Sequence, residues 1–235
     1  LLALTAGPTR ELARRTLADM GLKHEQALRG VATALSAYRY ARESITFVSS
    51  ALAFVRAGAR IVFADIEGET LGIDPAHVAE LVDDSVRAVV PVHYAGVGCD
   101  IAGVRAAISG HERVDVVEDN AHGLFGSYQG MPLGSFGRFS SLSFHETKNF
   151  VCGEGGALVV NRNSDIDRAH VLYDKGTNRR AFMLGEVDKY SWVDIGSSYL
   201  PSDLLAGVLL AGLDEFADIQ RRRHHVWSSY DDALR

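Results

Sequence analysis

From Thr46 onward, apolar positions fall in short and nearly unbroken runs, separated by amphipathic stretches and turn residues. Five runs read as strands: Ala59 to Asp65, Arg87 to His93, Val114 to Glu118, Phe139 to Phe144 and Ala157 to Asn161. Runs with little polar alternation are what strands covered on both faces look like. Helical periodicity fills the gaps. Ser49 to Arg56 is a helix stopped by Gly58, and Asp74 is an N-cap with Pro75 at the first helical position, opening a helix through Val82. Further helices are expected over Ile101 to Gly110 and over Ser164 to Lys175, the latter stopped by Gly176. After Pro201, Ser202 to Leu234 reads as one long helix or two. Ahead of all these, residues 10–43 are rich in Ala, Leu and Arg and read as helix with weak stop signals.

Strands alternating with helices predict an α/β fold, a three-layer and mainly parallel sheet whose ligands sit at the carboxyl ends of the strands. The last two strands are expected as a hairpin or adjacent pair flanking one polar loop.

Composition narrows the class. The chain has 235 residues, 47% of them hydrophobic, enough for one large core or a large core plus a partial second one. A formal charge of −6 argues against a nucleic-acid footprint, and Arg221-Arg-Arg-His-His225 reads as the solvated face of a helix. The cysteines, Cys99 and Cys152, lie far apart with no partner pattern, which speaks against a disulfide framework or a metal site and for a reducing cytoplasm. Long uncharged stretches such as Ala88 to Cys99 are interrupted by His, Pro or Gly, so no membrane insertion is expected. The chain opens on Leu1 without a charged segment before an apolar one, and no signal peptide is read there.

The chemistry concentrates in Ser141 to Asn149 and the glycine loop Cys152-Gly-Glu-Gly-Gly156. Lys148 stands between a strand-like run and that loop, downstream of a run that ends in acid, Val114-Asp-Val-Val-Glu-Asp119. An amine so placed can form an imine with pyridoxal 5′-phosphate and then carry a proton between substrate and cofactor, whereas a lone lysine in a polar loop is ordinarily a surface residue. Asp119 would project at a strand end, where it either pairs with a protonated pyridine nitrogen or caps the following turn. His122 could hydrogen-bond the cofactor's phenolic oxygen or be a satisfied loop histidine. Ser143 could donate to the phosphate or bond its own neighbours, and Phe47 could stack on the pyridine face or pack in a core.

Val117-Glu-Asp-Asn-Ala-His122 and Ser143-Phe-His-Glu-Thr-Lys-Asn149 resemble the cofactor segments of the DegT/DnrJ/EryC1/StrS sugar aminotransferases. The resemblance implies the large domain of the fold-type I pyridoxal-phosphate enzymes. It implies Lys148 as the covalent anchor, Asp119 at the pyridine nitrogen, His122 at the ring oxygen, Ser143 at the phosphate and Phe47 as the stacking aromatic. Lys175-Gly-Thr-Asn-Arg179, Val187-Asp-Lys-Tyr190, Trp192 and Asp194-Ile-Gly-Ser-Ser-Tyr199 are similar to the dTDP-4-amino-4,6-dideoxygalactose transaminases within it. That branch implies amino transfer from L-glutamate to C4 of dTDP-4-dehydro-6-deoxyglucose, in service of cell-surface polysaccharide. It also implies a homodimer in which Ser198 approaches the partner's phosphate, at a position many relatives fill with Asn.

The likeness covers residues 45–235, expected to be the cofactor-binding large domain. Residues 1–44 lack the family's small-polar phosphate loop, and the family's small C-terminal domain is not found, so an incomplete large domain is expected. Two other readings follow: a noncatalytic remnant of such a domain, and a related sugar dehydratase, whose lysine is replaced by histidine.

Overall fold

The computed structural model describes residues 47–234, and the helix expected over residues 10–43 lies outside them. The chain divides into two compact units, Leu1–Asp65 and Ile66–Arg235. In the first, helix α1 (Val48–Arg56) begins after Phe47, whose carbonyl accepts from Ser50 N at 3.0 Å. Gly58, at φ +88°, ends it as expected. Residues 59–65 are not a strand, and Val62 is half exposed. An apolar run becomes a strand only where another strand takes up its backbone hydrogen bonds.

The second unit is built on a four-stranded sheet. Its strands are β1 (Ala88–Val89), β2 (Asp115–Asp119), β5 (Phe139–Ser143) and β6 (Gly156–Val160), adjacent in that order. β1, β2 and β5 run parallel, and β6 is antiparallel to β5. The sheet is therefore mainly parallel, as the sequence pattern implied. β1 is shorter than the run Arg87 to His93 because Pro91 has no N–H to give a ladder. Its backbone still follows β2: Asp119 N donates to Pro91 O at 2.9 Å, and His93 N donates to Asp119 O at 3.1 Å.

Helix α2 (Pro75–Leu81) carries the expected cap, with Asp74 Oδ1 accepting from Ala76 N at 2.8 Å. Helix α3 (Ile101–Ala107), capped by Asp100, stops before the expected Gly110 and buries Ile101 and Val104 completely or nearly so. Between β2 and β5 lies a hairpin of β3 (Ser127–Tyr128) and β4 (Met131–Pro132), which the strand pattern did not show. Gln129 and Gly130 both have positive φ, the backbone of a tight two-residue hairpin turn.

Helix α4 (Ile166–Tyr173) ends just ahead of Gly176, and the short α5 (Arg179–Met183) follows. Residues 202–234 form two helices, α6 (Asp203–Asp214) and α7 (Phe216–Leu234), with Ser202 Oγ capping the first. No residue of α6 is buried, although its sequence is strongly apolar; Leu204 and Leu210 are 77% and 60% exposed. Among the described residues no helix is long and apolar enough to cross a membrane, and no cluster of side chains is fit to hold a metal.

Candidate active site

β2 delivers two acids in succession, and strand alternation sends them to opposite sides. Glu118 is fully buried and accepts four hydrogen bonds: from His93 Nε2 at 2.8 Å and from the backbone N–H groups of Gly134, Phe136 and Gly137 at 2.8, 2.7 and 2.6 Å. Burial pushes its pKa up, but the His93 bond and the backbone donors outweigh that and hold the carboxyl below its ordinary range. His93 Nδ1 accepts from Cys99 N at 3.3 Å, which assigns the ring proton to Nε2 and the negative charge to Glu118. The pair pins the loop after β4 to the end of β2. Sequence reading missed both residues; the signal was an acid one place before the expected cofactor acid, inside an otherwise apolar run.

Asp119, on the other side, is 9% exposed and its Oδ1 accepts from Ala121 N at 3.2 Å. The turn it shapes leads directly to His122. There Nδ1 accepts from Ala95 N at 3.2 Å, and the ring meets Tyr94 edge-on at 5.8 Å. With Nδ1 an acceptor, the proton resides on Nε2, and the imidazole is a neutral donor. Burial lowers the His122 pKa first, the charge of Lys148 lowers it further, and the charge of Asp119 partly restores it. Lysine and aspartate thus both act on one imidazole.

Lys148 lies in the loop between β5 and β6, the adjacent antiparallel pair expected from sequence. The loop is closed at its base by Phe144 N donating to Gly155 O at 2.8 Å, Cys152 N to Phe144 O at 2.9 Å and Glu146 N to Gly153 O at 3.0 Å. Its turn is held by Lys148 N donating to His145 O at 2.9 Å. Lys148 is half-buried, and among the described residues no side chain pairs with its amine. Next to it, Asn149 Nδ2 donates to His122 O at 3.2 Å, tying the lysine loop to the turn that follows Asp119.

The loop's other anchor lies on α7. Phe150, 3% exposed, touches the rings of Phe125 and Phe216 at centroid separations of 5.2 and 5.9 Å. The guanidinium of Arg223 lies 5.3 Å from the same ring's centroid, and its Nη2 donates to Asn149 O. Arg221 and Arg222 pair with Asp218 and are solvent-exposed, as a solvated helix face requires. Arg223 is exposed as well, but its guanidinium is engaged on the lysine loop.

Ser143 Oγ accepts from His145 N at a long 3.4 Å, so the hydroxyl sits at the entrance to the same loop. Ser198 lies on an exposed strap pinned across the end of α4: Lys175 N donates to Ser197 O at 3.0 Å, Ser197 N to Leu172 O at 2.9 Å, and Asp174 and Ser198 form an antiparallel bridge. The strap and the Lys175–Arg179 segment interlock, since Asn178 Oδ1 accepts from Ser191 N at 2.7 Å and Nδ2 donates to Lys189 O at 2.9 Å. Phe47 belongs to the first unit, at the start of α1, and is 71% exposed. The structure therefore brings Asp119, His122, Ser143 and Lys148 to one end of the sheet. Cys99 and Cys152 are free and buried, and burial next to Glu118 and Asp100 pushes the Cys99 thiol up to about 12.

Comparisons with known proteins show what the chain as a whole is similar to. The spore coat polysaccharide biosynthesis protein SpsC of Bacillus subtilis is 31% identical over 245 residues, covering 98% of this chain and 63% of its own length. That alignment reaches into residues 1–44. PseC of Helicobacter pylori, an aminotransferase involved in the biosynthesis of pseudoaminic acid, superposes with a TM-score of 0.72 at 25% identity, over 80% of this chain and 49% of its own. Spr1654 of Streptococcus pneumoniae in its PLP form gives 0.70 at 25% identity, over 80% and 51%. The chain thus spans between about half and two thirds of the length of the relatives it matches. A sequence profile of one family matches residues 42–235, through both the strand-end acid and the lysine loop. This chain belongs to the DegT/DnrJ/EryC1/StrS aminotransferase family.

Proposed function

We propose that this chain holds pyridoxal 5′-phosphate on Lys148 and serves a sugar aminotransferase. The observation that carries the reading is the bond from Asn149 to the His122 carbonyl, which couples the lysine loop to the turn after Asp119. The residues present fit the group: a carboxylate at a strand end, a neutral imidazole with a proton on Nε2, and an amine that no side chain among the described residues pairs with and whose charge acts on that imidazole. Spr1654 has been solved in PLP and PMP forms, the two states such a cofactor alternates between when it carries an amino group.

Bound there, the cofactor supplies an electron sink for the bond that must break. The Lys148 amine is its covalent anchor and, once released, moves the proton. Asp119 holds the positive charge of the pyridine nitrogen, which keeps the sink effective. His122 donates from Nε2 to the ring oxygen, and Ser143 donates to the phosphate. Residues 45–235 are the cofactor-binding large domain in this reading, preceded by the atypical segment 1–44.

The finer reading is amination of C4 of dTDP-4-dehydro-6-deoxyglucose with L-glutamate as donor. Its support is the motif likeness in the interlocked segments Lys175–Arg179 and Val187–Tyr199. SpsC and PseC are named for spore coat polysaccharide and pseudoaminic acid, so surface-polysaccharide assembly is the broader setting. The acidic, cysteine-poor composition fits the cytoplasm. A homodimer is the working assembly, with Ser198 meeting the partner's phosphate; support comes from the apolar surface of α6 and from Trp192, Ile195 and Tyr199, which are 77, 79 and 66% exposed. The test is to supply nitrogen-15 glutamate and the keto sugar and to follow label into the sugar. Label is expected with the natural chain and none with Lys148→Ala; equal labelling in both would refute the assignment.

A further inference from the structure

We propose that Arg223 is a positioning residue for Lys148, acting from α7 as one jaw of a clamp on the lysine loop. This deepens the assignment of Lys148 as the cofactor anchor and rests on it. Phe216 and Arg223 lie seven residues apart on α7, a spacing that returns a helix to the same face after two turns. Both reach Phe150, two residues beyond Lys148: Phe216 stacks on its ring, and the Arg223 guanidinium covers it at 5.3 Å from the centroid.

Arg223 has a second grip. Its Nη2 donates to the carbonyl of Asn149, the residue whose side chain donates to the His122 carbonyl. One guanidinium therefore holds the backbone of the residue adjoining Lys148, while that residue's amide reaches the turn shaped by Asp119. Its Nη1 is steadied by Gln220 Oε1 at 3.2 Å, one helical turn back. A lysine that must meet a cofactor at a fixed point gains from a loop whose backbone cannot drift, because reach errors of an ångström weaken covalent capture. The planar fork of arginine can bond a carbonyl and cover a ring at once, and the ammonium of lysine cannot do both equally well.

The test compares the natural chain with Arg223→Met and Arg223→Lys by amide hydrogen exchange, then by borohydride trapping of pyridoxal phosphate and peptide mapping. Exchange across residues 145–152 is expected to be about fivefold faster in Arg223→Met, with Arg223→Lys in between and β2 and β5 unchanged, the size of an exposed cation–π contact. The trapped adduct at Lys148 is expected to fall in the same order at limiting cofactor, with the melting temperature held. Equal loop exchange in all three proteins would overturn the proposal, and so would faster exchange spread evenly over the sheet. Absence of any adduct at Lys148 in the natural chain would instead reject the anchor assignment, which the exchange data do not depend on.

Discussion

His93 Nε2 donates to Glu118 Oε2 at 2.8 Å with both side chains out of contact with solvent, and every other acceptor position of that carboxylate in use is taken by backbone N–H groups. Glu118→Gln places an amide where only acceptors fit, turning one N–H toward another. A loss of about 3 kcal/mol is expected in urea unfolding, since it breaks a buried, hydrogen-bonded charge site. The pH dependence has a definite sign. Glu118 has a lowered folded pKa, so its contribution is complete above the ordinary carboxylate range and disappears as pH falls through the lowered folded value. The natural protein should therefore lose stability on acidification more steeply than Glu118→Gln; parallel curves would show that the carboxylate carries no such weight.

His122 reports the two charges that bracket it. With burial and Lys148 lowering its pKa, the imidazole should titrate below the usual histidine range in cofactor-free protein. Lys148→Met should move that titration up, and Asp119→Asn should move it further down, as read from the ring proton resonances by NMR. A His122 titration insensitive to both substitutions would place the two charges elsewhere. Because the folded pKa is depressed, the stability linked to His122 is present above its unfolded value and lost as pH falls.

Gly176 fixes the strap that carries Ser198. It sits at φ +75°, and a Cβ there would lie 1.6 Å from the carbonyl oxygen of Asp194. Val193 N and Asp194 N both donate to the Gly176 carbonyl, so the strap cannot shift away without losing them. Gly176→Ala combines a left-handed backbone penalty with a backbone clash, and a destabilisation of about 3 kcal/mol is expected. Denaturant unfolding with a midpoint unchanged from the natural chain would mean that the strap is not docked as described.

Local chemistry was the most legible part of the chain. Asp74 with Pro75, Gly58 and the split-apolar run of β2 declare themselves because cap, stop and burial act within a few residues. The lysine loop was legible for the same reason, as Lys148 and Asp119 both sit at the ends of recognisable strands. What escaped were contacts between distant segments. Residues 59–65 have the apolarity of a strand, yet strand formation depends on a neighbour that no local pattern specifies. Likewise, Arg223 looks like its neighbours Arg221 and Arg222 in sequence, and only the fold brings it to Phe150 and Asn149. His93 and Glu118 are 25 residues apart, so their pairing is a product of parallel register between β1 and β2.

Reductive trapping decides the central claim most directly. The chain is incubated with pyridoxal phosphate, reduced with borohydride, digested, and the pyridoxyl group located by mass spectrometry. A single dominant adduct on Lys148, retained in Lys175→Ala and lost in Lys148→Ala, is the expected result. An adduct centred on Lys175 or Lys189, or spread evenly over the surface lysines, would contradict the account.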